Sequence, residues 1–384
     1  MTSSHARTPA MPGAAPQAPG TAAPEAAARS VGFFAPSGYL PDPEVMERAA
    51  HFFSARGWRV SAGDTVFARE QRFAGPDDLR AAELQGFATD RSLDVAIAAR
   101  GGYGLTRILG DFDYEAIAAA RLPLVGYSDF TAFNLALLAQ AGGISFQGPA
   151  ASDFRLDGAE QGVDASGLRF NQEQFFSAIS QGEHCIEFAT GAAAAPYEGR
   201  ELRGRLWGGN LAMVCSLLGT KYFPRVRGGI LFLEDVNEPA YRIERMLLQL
   251  LQAGVLERQK AVLLGDFSSV PSLPNDNGYD LASVWAALRA RCAVPVFDGL
   301  PMGHARRRAM LAVGAPARLN VLRAGEGGAP FAGGAGGSNE PQRGSRLGPG
   351  GWIARLQYWD HPVMRPGSKS AARRSKVAGT RIRA

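Results

Sequence analysis

Ser128 stands in the tetrapeptide Gly126-Tyr127-Ser128-Asp129, after an apolar run at 122–125 and before a helical pattern at 129–140. A serine at a strand-to-helix turn resembles a nucleophile elbow. That geometry aims the side chain outward at a helix N-terminus, where free N–H groups and the dipole favour a developing oxyanion. The pattern departs from G-x-S-x-G because Phe130 occupies the place of the second glycine. On local pattern a plainer role stands beside it, with Ser128 or Asp129 capping the following helix.

A serine nucleophile needs a general base, commonly a histidine oriented by a carboxylate. Of the five histidines, His5 falls in the Ala/Pro-rich beginning and His361 in the basic end of the chain. His51 sits on a predicted helix and His184 in a polar stretch, both read as surface positions. His304 lies in Leu300-Pro301-Met302-Gly303-His304, a turn from which an imidazole can protrude. For the acid, Glu234 and Asp235 end the apolar run 229–233, where a carboxylate is costly unless it is paired. Glu238 is the near rival. Arg306, Arg307 and Arg308 read either as a solvated basic turn or as a clamp for a substrate carboxylate.

The loop Arg100-Gly101-Gly102-Tyr103-Gly104 follows another apolar run, 93–99. Its glycines let backbone N–H groups approach a ligand closely. Neither a Walker A pattern nor G-x-G-x-x-G spacing is present, so a carboxylate or oxyanion suits the loop better than a nucleotide. Ligand-free tight turns remain open on this evidence.

Several elements must hold these residues. Apolar runs near 31–35, 58–60, 93–99 and 122–125 alternate with helical patterns at 42–56, 76–87, 114–120 and 129–140. Such alternation predicts a parallel α/β sheet with crossover helices over 31–150. Ligands gather beyond the carboxyl ends of such strands, where both glycine-bearing turns fall. Residues 151–200 show little pattern and are expected to link two lobes. A second unit is expected over 201–322, and residues 323–384 read as a disordered tail.

Composition narrows the function. The 384 residues are 46% apolar and carry a net charge of +5. Ten of the basic residues and one acid lie in 341–384, a net +9, which leaves −4 for residues 1–340. The body is therefore mildly acidic, and a primary role in nucleic-acid binding is excluded. On this reading, removing 341–384 should leave the activity of the body unchanged. No apolar stretch is long enough to span a membrane. Residues 1–30 lack the apolar core of a secretory signal and read as a disordered leader. Cys185, Cys215 and Cys292 are isolated from one another, matching neither a disulfide framework nor a metal site. A cytoplasmic location follows, with no metal or cofactor.

Further motifs extend the pattern: Phe73-Ala74-Gly75 with Arg80, Gly208-Gly209-Asn210-Leu211, Leu217-Leu218-Gly219-Thr220, and Tyr241-Arg242-Ile243-Glu244-Arg245. Together with the four segments above, and taken in chain order over 31–322, they resemble the LD-carboxypeptidases. That family includes muramoyltetrapeptide carboxypeptidase and the microcin C self-immunity hydrolases. The resemblance implies an α/β N-terminal domain, a smaller β-rich C-terminal domain, and an active site in the cleft between them. It implies a Ser-Glu-His triad of Ser128, Glu234 and His304, with no metal. It places oxyanion donors on the backbone of Asp129 and Gly102, and substrate contacts at Gly101, Tyr103 and Asn210. The implied reaction releases the terminal D-alanine of an L,D-linked muropeptide tetrapeptide during wall recycling, commonly by a homodimer. The alternative in the same fold is an immunity-type hydrolase of peptidyl-aminoacyl nucleotides. Those relatives are expected to stack adenine on an aromatic of an inserted loop, and 151–200 offers Phe154, Phe170, Phe175, Phe176, Phe188 and Tyr197 but no Trp.

Overall fold

The computed structural model describes residues 28–156, 165–324 and 351–365. The first part runs β1 (Ser30–Phe34), α1 (Glu44–Ser54), β2 (Arg59–Ala62), α2 (Asp77–Thr89), β3 (Val95–Ala98) and α3 (Leu105–Ile108). It continues with α4 (Tyr114–Ala120), β4 (Leu124–Gly126), α5 (Thr131–Ala141) and β5 (Ser145–Gln147). These strands are short continuous apolar runs because helices cover both faces of the sheet. Their order is β2-β1-β3-β4-β5, all parallel. The order reverses between β1 and β3, so a crevice opens beyond their carboxyl ends. The Gly101–Gly104 loop lies there, tied by a hydrogen bond from Gly38 N–H to the Gly101 carbonyl (3.1 Å).

The second part opens with α6 (Ala165–Ser180), β6 (Glu183–Thr190), β7 (Glu201–Asn210), α7 (Leu211–Leu217) and β8 (Ile230–Val236). Next come α8 (Ala240–Gln252), β9 (Ala261–Ser268), α9 (Leu281–Arg291) and β10 (Val296–Phe297). It closes with β11 (Leu311–Val313), β12 (Pro316–Arg323) and β13 (Trp352–Trp359). Its seven-stranded sheet is ordered β10-β9-β8-β7-β12-β13-β6, parallel from β10 to β7 and antiparallel beyond. β11 leaves this sheet to add an antiparallel strand beside β5, so the chain joins both halves twice.

Two expectations are corrected here. The segment 151–200 is not a patternless linker, since α6 and β6 are structural members of the second half. The tail assignment also fails for 352–365. β13 pairs on one side with β12 and on the other with β6, burying Ala354, Leu356 and Tyr358. His361 is buried, with Nε2 2.9 Å from the Ala178 carbonyl and its ring edge-on to Phe146 of the first sheet. The leader lies almost wholly outside the described residues, as does the tail at 325–350 and 366–384.

His184, expected at the surface, is buried beside Tyr358 and contacts Ser177 Oγ (3.2 Å) and Gln174 Oε1 (3.0 Å). Burial, with His361 nearby, holds its imidazole down at about 3 from the ordinary 6.5. Because the folded value is the lower one, the unfolded chain binds more protons through that window. This contribution to stability is complete above the ordinary value and is lost as pH falls. At pH 5 the loss is about 2 kcal/mol. Urea unfolding at pH 7 and pH 5 is expected to show a smaller acid penalty in His184→Gln than in the parent.

Candidate active site

Ser128 follows β4 with φ of +62°, a left-handed backbone that a non-glycine residue rarely adopts. Such a conformation costs about 1–2 kcal/mol and persists only where neighbours enforce it. Phe130, buried beneath the turn, and α5 directly beyond it supply that enforcement. Ser128 is partly exposed, whereas Asp129 is 1% exposed and turned inward. Asp129 Oδ2 accepts from Ser37 Oγ (2.7 Å) and from Leu105 N–H (2.9 Å). Burial pushes its carboxyl up, against those hydrogen bonds. Its side chain therefore fixes the Gly-rich loop, and only its backbone is left to face a ligand.

Gly101 lies against Ser128. A Cβ there would fall 2.8 Å from Ser128 Cβ, 3.0 Å from the Tyr127 carbonyl and 3.2 Å from Ser128 Oγ. Its φ is not in the left-handed region, so the requirement for glycine is steric alone. Gly101→Ala is expected to cut kcat/KM about 100-fold by displacing Ser128, and to lower the melting temperature by a few degrees. Wild-type turnover in that variant would refute this placement. Tyr103 stands at the rim, 43% exposed, with the Arg72 guanidinium 5.5 Å from its ring centre.

Glu234 comes from the second sheet and His304 from the loop that follows β10. Glu234 lies within β8, fully buried, and its Oε2 is 2.8 Å from His304 Nδ1. Alternation along the strand turns Asp235 away from His304. Asp235 instead accepts from Asn210 Nδ2 (2.9 Å) and Ala212 N–H (3.0 Å), and burial raises its carboxyl to about 6. Glu238 is paired with Arg242 (2.9 Å). His304 reaches Glu234 because its loop passes close over β9. Gly303 has φ of +145°, and a Cβ there would meet Asp266 Cβ at 2.8 Å. The imidazole lies beside Tyr127, ring centres 5.1 Å apart, which sets it next to the residue preceding Ser128. His51 is exposed on α1, away from this cluster.

The two halves are held in register by β7. Asn210 N–H donates to Thr131 Oγ1 at the start of α5 (3.0 Å), and a Cβ at Gly209 would collide with the same threonine at 2.4 Å. Asn210 pairs in register with Glu234, but its amide is engaged at both ends, with Asp235 and with Met213 N–H (3.1 Å). These bonds fix Asn210 at the N-terminus of α7, next to the start of α5.

The arrangement is chemically specific. A carboxylate only accepts, so an ionised Glu234 would hold the ring proton on Nδ1 and leave Nε2 as the free ring nitrogen. The sequence reading missed Tyr127, which precedes Ser128 and packs against His304 and Arg308, and the ion pair of Arg308 with Asp153. The described residues contain no cluster of metal-binding side chains, and no described helix is long and apolar enough to cross a membrane.

Residues 31–148 match the LD-carboxypeptidase N-terminal domain and residues 203–319 the LD-carboxypeptidase C-terminal domain. The "Probable murein peptide carboxypeptidase" of Bacillus subtilis is 30% identical over 293 residues, 76% of this chain and 89% of that protein. The crystal structure of muramoyltetrapeptide carboxypeptidase from Oxalobacter formigenes superposes with a TM-score of 0.70 at 34% identity, covering 87% of this chain and all of the other. The microcin C7 self immunity protein MccF shares the fold, with a TM-score of 0.66 at 22% identity over 79% of this chain and 96% of its own.

Proposed function

We propose, since the chain belongs to the LD-carboxypeptidase family, that it is a serine-type carboxypeptidase releasing terminal D-alanine from an L,D-linked murein tetrapeptide. The observation that carries the reading is the bond between His304 and fully buried Glu234, beside the turn that holds Ser128 at positive φ. In this mechanism Ser128 Oγ attacks the carbonyl preceding D-alanine, and His304 Nε2 takes its proton. Glu234 holds the ring and stabilises its cation. The oxyanion rests on the N–H groups of Asp129 and Gly102, each such donor contributing about 3 kcal/mol in the transition state. Collapse expels the amine of D-alanine, which takes the proton back from His304. Water then releases the acyl group by the reverse sequence.

Substrate class follows the named relatives. An immunity-type hydrolase acting on peptidyl-aminoacyl nucleotides needs an aromatic surface free to stack a base. Phe154 and Phe175 are fully buried, and with Phe176 they stack among Phe52, Phe53 and Trp58, while Phe188 is 6% exposed. Phe170 and Tyr197 are partly exposed, so the aromatics of this segment do not decide between the substrates, and the names of the relatives favour the peptide. Incubating the protein with a murein tetrapeptide and, in parallel, with a peptidyl-aminoacyl nucleotide tests the choice by mass spectrometry. D-alanine release from the first alone is expected. Cleavage of the second alone would replace this reading with the other.

A further inference from the structure

Arg308 is a buried cation, its side chain 13% exposed, in a run of three arginines that looks like a solvated turn. A charge withdrawn from water is retained only where partners compensate it. Its Nη1 pairs with Asp153, whose carboxylate also accepts from Asn171 Nδ2 (2.8 Å) and Ala150 N–H (2.9 Å). Nε donates to the Gly303 carbonyl (3.1 Å), the peptide directly before His304. The guanidinium lies over the ring of Tyr127, 4.6 Å from its centre. The Arg308 backbone N–H donates to Asn171 Oδ1 (2.6 Å) on α6. One side chain therefore touches the base-bearing loop, the residue preceding the nucleophile and a fixed anion from the intervening segment.

We propose that Arg308 is a positioning residue that locks the His304 loop onto the Ser128 turn, with Asp153 and Asn171 as its anchor. Its planar fork is what the task requires, since one face covers Tyr127 while two edges bond in different directions. A lysine can keep the charge near Asp153 but cannot make the contacts with Gly303 and Tyr127 together. The proposal rests on the serine-peptidase reading of the site, and its test includes a readout that needs no turnover.

That readout is the low-field proton resonance expected for His304 Nδ1–H bonded to Glu234, followed in Arg308→Met and Arg308→Lys beside tetrapeptide kinetics. For Arg308→Met, with circular dichroism unchanged, kcat should fall about 50-fold, KM should stay within about threefold, and the resonance should broaden or vanish. Arg308→Lys should retain the resonance in weakened form and lose about tenfold in kcat. Folded Arg308→Met with wild-type kcat and an intact resonance overturns the proposal. If Arg308→Met does not fold, Arg308→Lys decides: wild-type kcat and resonance there show that the fork is not needed. Should the parent protein fail to cleave the tetrapeptide, the function reading fails while the resonance still judges Arg308.

Discussion

Removing residues 352–384 is expected to abolish the folded protein and its activity with it. β13 lies between β12 and β6, so its loss strips pairing from both neighbours and leaves two open edges. The same cut exposes the surfaces that Ala354, Leu356 and Tyr358 cover. At about 1.5–3 kcal/mol for each large apolar side chain, together with the contacts of His361, the loss approaches the whole stability of an ordinary domain. Tyr358 also donates to the Met310 carbonyl (2.7 Å), beside the strand that the second half lends to the first sheet. The damage therefore reaches both halves. Circular dichroism and size exclusion of the shortened chain should show an unfolded or aggregated product. A soluble, cooperatively melting and active product would contradict the placement of β13 and restore the expectation drawn from charge alone.

Why that strand escaped the sequence reading is instructive. Trp352–Trp359 buries Ala354, Leu356 and Tyr358 at alternate positions and leaves Ile353, Arg355 and Trp359 partly exposed, a period-two signal that buried Gln357 interrupts. The surrounding Gly/Ser/Arg-rich composition outweighed eight residues of pattern. In α6 the apolar spacing of Leu168, Phe175 and Ile179 is interrupted by buried Asn171 and Gln172. Those amides are inside because they bind Asp153 and the backbones of residues 153, 155 and 308, a long-range reason that no local window contains. The first sheet was legible because its strands are covered on both faces and read as plain apolar runs. Of the site, Ser128 carried a turn signature and Glu234 carried the cost of burial. The choice of His304 among five histidines leaned on context, while His184, expected at the surface, and His361, assigned to the tail, are both buried. Arg306, Arg307 and Arg308 are chemically identical neighbours, and nothing local marks the third as the one that pairs with Asp153.

Ser128→Ala is the second expected large effect. Alanine keeps the Cβ and the backbone of the turn, so unfolding free energy should stay within about 0.5 kcal/mol of the parent. Binding surfaces and backbone donors also stay, while the covalent route is lost. The decrease in kcat should reach about four orders of magnitude, with KM little changed. Glu234→Gln is expected to act more mildly, because it retains an acceptor for Nδ1–H but removes the charge that stabilises the imidazolium.

The decisive measurement is a mass-spectrometric time course of D-alanine release from a murein tetrapeptide by the parent protein and by Ser128→Ala at equal concentration. Loss of one terminal D-alanine is expected with the parent and no release above background with the variant, both proteins being folded by circular dichroism. Release at the parental rate by folded Ser128→Ala would show that the nucleophile lies elsewhere.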